Sequence, residues 1–405
     1  MTANRPIRVL FLIENVPYSL DTRVQREADV VKRMGGEVVV VCPTDGGGFH
    51  TTIDGFNVYQ YPKPHPGRGF IAHLAEYFVS LFFHFWLVAY VAIRHGFDVI
   101  HGANPPDIFW IIAAPYKLFG KRFIFDQHDL VPELFDVRYR DRLPVLRRTM
   151  LWMEKRSMAM ADHVIATNES FRNVALTRGG KRSAEVTIVR NGPWIGRHFT
   201  DVEPAESVKS LGSVTVGYIG WMNPQDHLEN LMEVARIIRV DKGRDDIGFI
   251  LIGSGDSYPS LVKIRDEKGL GESVRMPGTI PWKEAVSALS ATDICVQPDL
   301  PTSFNVNLTM NKLMEYMALG KATVAYEMTE TCFTGADTVV YVKDSTAEAL
   351  AESIIRLADD PQLRRNLGDK AKARIDSLLC WERQSEHLVS VYEAVKPAST
   401  VLEPI

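Results

Sequence analysis

Only four cysteines occur in the 405 residues, Cys42, Cys295, Cys332 and Cys380, and they stand far apart with no C-x-x-C pair and no histidine at metal-ligand spacing. Neither a zinc site nor a disulfide framework is indicated, and reduced cysteines in a cytoplasmic chain are expected. No dense run of lysine and arginine and no nucleic-acid-binding motif is present, so nucleic acid is not an expected partner. Internal repeats and low-complexity tracts are missing as well. The amino terminus places Arg5 and Arg8 before the apolar run Val9 to Ile13, which is too short for a signal sequence and lacks a small-residue cleavage site. It reads as a first β-strand.

What remains is the composition of a globular protein, 46% hydrophobic and 24% charged. A chain of this length suits two domains of roughly 150 to 200 residues each. The formal net charge is −4, yet the first half is basic and the second acidic. Such asymmetry points to something anionic meeting the first half, such as a membrane surface or a phosphorylated lipid. The densest basic segment, Arg138 to Arg156, holds Arg138, Arg140, Arg142, Arg147, Arg148, Lys155 and Arg156 against Asp141 and Glu154. It is either a face turned to an anionic bilayer or an ordinary solvated helix face.

Apolar runs of strand length alternate with helical stretches from the start. Arg8 to Ile13, a helix near Arg23 to Met34 and Glu37 to Cys42 make a βαβ beginning, and its repetition implies a parallel sheet. Further strands are expected at Asp98 to His101, Arg122 to Asp126, His163 to Thr167 and Val186 to Val189. A second series follows at Thr215 to Ile219, Gly248 to Ile252, Ser273 to Pro277, Ile294 to Gln297 and Ala322 to Tyr326. The expected division is a first α/β domain over 1–200, a second over 201–380 and a terminal helix over 381–405 that crosses back to the first. The most apolar stretch, Phe70 to Ile93, is long enough to be tested as a membrane span. His73, Glu76, Ser80 and His84 interrupt it at spacings that put them on one helix face. A buried or surface-docked helix with a polar stripe is therefore expected.

The sharpest segment is SFNVNLTMNKLMEYMALGK, Ser303 to Lys321, which follows a strand and the breaker-rich Pro298 to Pro301. A helix should begin near Thr309, with Thr309 as its cap and Gly320 as its left-handed stop. Backbone N–H groups at such a start attract phosphate, and Lys312 in the first turn adds a full charge. Glu315, one turn on, can accept two hydrogen bonds from a ribose diol. The same two residues equally suit a plain i,i+3 surface pair.

Three segments, in order, resemble family 4 glycosyltransferases: LFLIENVPYSLDTRVQREADVVKRMGGEVVVVC, FDVIHGANPPDIFWIIAAPYKLFGKRFIFDQHDLVPE and DICVQPDLPTSFNVNLTMNKLMEYMALGKATV. The middle segment is similar to a bacterial branch that often builds surface polysaccharides. The resemblance implies a GT-B fold, in which two Rossmann-like α/β domains turn the carboxyl ends of their parallel sheets toward a central cleft. It also implies a retaining transfer of sugar from a nucleotide donor, without metal or other cofactor. Front-face attack assisted by the donor phosphate, with no protein nucleophile, is the family expectation.

Carried over residue by residue, Glu315 matches the second glutamate of the family's E-x7-E motif, which holds the ribose. The first falls on Asn307, whose amide can still bond sugar hydroxyls. Gly220 matches the glycine after the first strand of the second domain, but Met222 and Asp226-His227 stand where an Arg and a Lys are common. Diphosphate charge then falls to Lys312, the helix start at Thr309 and His227. Gly253 and Gly255 allow close backbone approach, or form an ordinary strand-to-helix turn, and Thr279 lies in the segment that resembles the base pocket. His128 matches the family histidine beside the reacting sugar, where it can help stabilise oxocarbenium-like charge; it equally suits a loop-bonding histidine. Asp21, Arg23, Asn104, Asp107 and Asp129 are acceptor-side candidates, with helix capping the competing reading for Asp21 and Asp107.

The expected partners are a nucleotide-sugar donor with uridine as the favoured base, a saccharide or lipid-linked acceptor, and an anionic membrane surface on the cytoplasmic side. Two rival functions stay open. A GT-B-fold epimerase or phosphorylase would bind similar groups, and a non-catalytic subunit of a glycosyltransferase complex would explain the departures at Asn307 and the basic pair.

Overall fold

The computed structural model describes residues 5–62, 70–139, 144–398, 400 and 401, apart from the side chains of 70–74, 138, 139 and 401. The chain divides into two compact units, 1–190 with 385–405, and 191–384. The division falls ten residues before the expected one. Gly192 explains why: a Cβ there would lie 2.0 Å from Leu379 O, and Trp381 N donates to Pro193 O at 2.9 Å, so the chain is already seated in the second unit. The helix Trp381–Val395 begins in that unit, and its residues from Ser385 onward cluster with the first.

Among the described residues, the first unit holds an eight-stranded sheet in the order His50–Ile53, Phe56–Tyr61, Glu37–Pro43, Arg8–Leu12, Val99–Ala103, Arg122–Gln127, His163–Ala166, Val186–Ile188. All neighbours pair parallel except the first two, which form a hairpin around Asp54-Gly55, with both residues at positive φ. The hairpin lies outside the expected strands, because its buried member FNVYQY mixes polar residues into a short run. Val38 to Val41 and Leu10 to Leu12 are all buried, the continuous apolar reading of strands covered on both faces.

The second unit holds six parallel strands in the order Val274–Gly278, Ile247–Ile252, Val214–Ile219, Ile294–Gln297, Ala322–Tyr326, Val339–Val342. The last of these is also outside the sequence expectation. In each sheet the opening strand has neighbours on both sides, so the winding direction reverses there. A parallel sheet with that reversal offers its ligand site at the carboxyl ends of the strands flanking it.

The helix Phe70–Arg94 packs on the strands Glu37–Pro43 and Phe56–Tyr61. Its polar stripe faces inward: Glu76, Ser80 and His84 are 7%, 1% and 0% exposed. Ser80 Oγ bonds Tyr61 OH at 2.6 Å and donates to Glu14 Oε1 at 3.1 Å. His73, the fourth member of the expected stripe, lies outside the described side chains.

Burial pushes His84 down to about 4, and burial with nearby Lys181 does the same to His163. Both are neutral in the folded chain, whereas the unfolded chain protonates each near pH 6.5. Below that pH the unfolded state binds more protons, so stability should fall from pH 6.5 toward 4 by up to roughly 3 kcal/mol per histidine. Urea unfolding at pH 7 and pH 5 checks this; His84→Gln should flatten the dependence.

Candidate functional site

In the second unit the opening strand and its neighbour Ile247–Ile252 end side by side, with Ile219 opposite Ile252, and Ile294–Gln297 lies on the other side of the opening strand. The next residues, Gly220 and Gly253, approach so closely that a Cβ on Gly253 would lie 1.9 Å from Gly220 O. Gly253 also has φ +128, so no other residue fits without moving the turn. Those turns form the floor of a cavity of about 460 Å³. Its walls include Asp226, Thr279, Lys312 and Glu315, with Trp221 and Trp282 exposed at 73% and 40%.

Five of the expected donor residues, Gly220, Gly253, Thr279, Lys312 and Glu315, therefore line one cavity. Four others do not. The helix runs Asn311–Ala318 with Met310 at the capping position and no side-chain cap, so Thr309 neither caps it nor lines the cavity. A Cβ on Gly255 would meet Met222 O at 2.6 Å, so that glycine serves the packing of the neighbouring loop. Asn307, in the short turn Asn305–Asn307, donates to Ser303 O at 3.1 Å and lies off the cavity wall. His227 is likewise off the wall, in the left-handed conformation between two helical turns. Gly320 holds its expected left-handed stop at φ +65.

Lys312 is placed as expected but is not an isolated charge. Its Nζ lies 2.9 and 3.0 Å from the oxygens of Asp299, 3.4 Å from Tyr218 OH and 3.9 Å from Asp226. Burial works against its charge, but Asp299, Tyr218 and Asp226 outweigh burial and hold the ammonium above its ordinary range. Asp226 is pushed up by burial, partly offset by Lys312. No spacing pattern points to Asp299, which sits in the breaker-rich loop Pro298 to Pro301. Trp221, in a loop, and Trp282, at the start of the helix Trp282–Ser290, also reach the cavity without a spacing pattern to announce them.

In the first unit, polar groups again gather at the carboxyl ends of adjacent strands. Asn104 is 1% exposed and ties two loops together. Its Oδ1 accepts from the backbone N–H of His128 and Asp129 at 2.5 and 3.0 Å, and its Nδ2 donates to Asp107 Oδ1 and Asp129 O, both at 2.8 Å. His128 Nε2 bonds Asp126. Arg23 is not turned outward as an acceptor contact: it is 5% exposed and grips Asp126 through two bonds of 3.0 and 2.8 Å. Asp21 caps its helix, accepting from Val24 N at 3.0 Å. Asp107 is 4% exposed, and burial, then Glu154, holds it well above the usual carboxylate range. Burial raises Asp129 too. Of the acceptor-side candidates, Asp21, Arg23, Asn104 and Asp107 are scaffold around His128 and Asp129.

Beneath His128 lies a closed charge network. Glu27 Oε1 is 3.1 Å from Arg23, and His101 Nε2 is 3.5 Å from Glu27 and 3.6 Å from Asp126. Glu27, His101 and Asp126 have the donor types of a metal site, with ligand atoms within 4.8 Å. Arg23 already supplies the cation there. Burial opposes charge on Asp126, but Arg23 and His128 outweigh it and keep it ionised, whereas burial and then Asp126 hold Glu27 well above its usual range.

Two units of doubly wound parallel sheet, one carrying a cavity at the carboxyl ends of its strands, define the GT-B class of fold. The family description Glycosyltransferase Family 4 matches residues 21–193, and Glycosyl transferases group 1 matches residues 213–360. The chain belongs to the family 4 glycosyltransferases. It is 20% identical to an uncharacterized glycosyltransferase of Methanocaldococcus jannaschii over 85% of this chain and 86% of that one. It is 20% identical to the GPI3 subunit of the phosphatidylinositol N-acetylglucosaminyltransferase of Saccharomyces cerevisiae, over 68% of this chain and 58% of that one. Among solved structures, HepE of Anabaena in complex with UDP and glucose superposes with a TM-score of 0.70 at 15% identity, covering 96% of this chain and all of that one. At that identity the likeness concerns the fold alone.

Because burial and Asp126 hold Glu27 well above the usual carboxylate range, Glu27→Gln should move the urea midpoint at pH 7 only slightly. Asp126→Asn leaves Arg23 without its ionised partner and should cost about 3–5 kcal/mol. Equal losses in the two variants would show that Glu27 is ionised.

Proposed function

We propose that this glycosyltransferase takes a UDP-sugar, transfers the sugar with retention of configuration and without metal, and delivers it to a lipid-linked saccharide at the cytoplasmic face of a membrane, in polysaccharide assembly. The observation that carries the donor half is the cavity at the reversal point, with Lys312 and Glu315 on one wall and paired glycine turns as its floor. Glu315 accepts from the ribose hydroxyls, and Lys312 meets the phosphates. HepE supports uridine by analogy of fold, since its structure holds UDP and glucose. The yeast relative supports a lipid acceptor, since its name specifies phosphatidylinositol.

His128, fixed through Asp126 and the Asn104 bond to its backbone, is the residue proposed to face the reacting sugar. Locking its ring costs no reorganisation at the moment of reaction. Lys312 must be shared between Asp299 and the donor, so phosphate affinity rests on one partly compensated cation.

That compensation favours a second reading, a non-catalytic subunit, and the yeast relative is itself named as a subunit. Nucleotide release from UDP-sugars, followed over time with the purified chain, separates the two: turnover excludes the subunit reading, and binding without turnover under all acceptors excludes the enzyme.

Three substitutions test the cavity by calorimetry. Glu315→Ala should weaken UDP by at least about tenfold, because each bond to a charged group is worth roughly 1.5–3 kcal/mol. Lys312→Ala should weaken UDP far more than uridine; equal losses would mean that it acts through folding. Asp226→Asn should tighten UDP on the order of fivefold, by removing about 1 kcal/mol of repulsion from a carboxylate on the wall.

A further inference from the structure

The helix Phe70–Arg94 is built the wrong way round for a water-exposed surface. Its polar residues Glu76, Ser80 and His84 point into the protein, while Phe78, Phe82, Phe85, Trp86 and Ile93 are 73%, 54%, 55%, 59% and 90% exposed. Steps of four, three, one and seven residues place these five on one face. A soluble helix shows the opposite arrangement. The stretch Ala75–Arg94 is long and apolar enough to cross a bilayer, with a hydropathy of 1.6. It does not need to, because its polar stripe is already bonded to the sheet through Tyr61 and Glu14.

Charge selects what covers this face. The Phe70–Arg94 helix packs against Phe109–Lys117, which packs against Pro144–Met160. Among the described side chains of these three helices the only carboxylates are Glu76 and Glu154, and both are buried, at 7% and 0%. The exposed charges are Arg94, Arg148, Lys155 and Arg156, with Arg156 stacked 5.5 Å over the half-exposed Trp152. Aromatic rings beside cations with no exposed anion complement the interface of an anionic bilayer, where tryptophan and aliphatic faces sink to the acyl boundary and basic groups meet the headgroups.

We infer that the exposed aromatic face of the Phe70–Arg94 helix lies in the plane of an anionic lipid bilayer and inserts Phe78, Phe82, Phe85 and Trp86 into it. This rests on the membrane-side placement proposed above and shifts the anchoring from the basic segment to the aromatic helix. Arg138, Arg140 and Arg142 of that segment lie outside the described side chains, and Arg147 is taken up by Asp136 at 2.7 Å. Charge draws the chain to the surface; the rings hold it there.

The test is flotation of the full chain with vesicles of phosphatidylglycerol and phosphatidylcholine. The wild type should float at low salt, and Phe82→Ser/Trp86→Ser should lose at least tenfold in partitioning. Arg148→Gln/Lys155→Gln/Arg156→Gln should lose chiefly the salt-sensitive part. Brominated acyl chains should quench wild-type fluorescence more than that of Trp86→Phe. Thermal unfolding shows that each variant is folded, and UDP calorimetry reads the donor site independently, so vesicle binding without UDP binding sinks the transfer reaction and leaves the surface standing. The inference is overturned if the Phe82/Trp86 variant floats like the wild type, if the wild type ignores both vesicle types, or if sedimentation velocity shows a dimer that this variant dissolves without any vesicle binding.

Discussion

A parallel sheet covered by helices on both faces has one place for polar chemistry, the carboxyl edge of its strands, because everywhere else a charge would be buried in hydrocarbon. Both units obey this constraint. In the second, Gly220, Gly253 and the loop after Ile294–Gln297 bring Asp226, Asp299 and Lys312 to one edge. In the first, the loops after Arg8–Leu12, Val99–Ala103 and Arg122–Gln127 bring Arg23, Asn104, Asp126 and His128 to another. The apolar cores are what make these edges chemically distinct.

Gathering charges at an edge creates a second requirement, that they balance before any ligand arrives. The two units meet it differently. In the first, Arg23 is spent on Asp126, and burial beside Asp126 holds Glu27 well above the usual carboxylate range, because a second anion there would face burial without a further cation. The network is closed, and its product is a fixed orientation for His128. In the second, Lys312 is paired with Asp299 at the cavity wall, with Asp226 close by. Charge is shared rather than sealed, so an incoming phosphate can compete for the ammonium with carboxylates that hold it in place.

This balance explains which parts of the site were legible in the sequence. Strand runs such as Ile294–Gln297 and Ala322–Tyr326 follow from apolar length alone, and their ends place the loops that carry Lys312 and Glu315. Family resemblance then added what those loops are expected to bind. Partnerships were not legible. Nothing in the spacing of Asp299 and Lys312, thirteen residues apart, or of Arg23 and Asp126, 103 apart, shows that they pair. Arg23 and Asp107 therefore read as ligand contacts when they are structural, and the helix cap at Thr309 failed because the preceding turn Asn305–Asn307 shifts the helix start to Asn311.

The helix Phe70–Arg94 shows the same limit from the other side. Periodicity revealed a polar stripe on an apolar helix but could not say which face is inward, because a stripe bonded to the sheet and a stripe turned to water have identical spacing. The direction is set by partners elsewhere in the chain: Tyr61 and Glu14 offer bonds to Ser80, and His84 Nδ1 donates to Ser80 O, 2.8 Å away. Once those polar groups are satisfied inside, the rings have nowhere to go but out. A sheet that takes up the polar face of a helix thereby commits the apolar face to a non-aqueous neighbour, since leaving it in water forfeits about 25 cal/mol for each Å² of apolar surface.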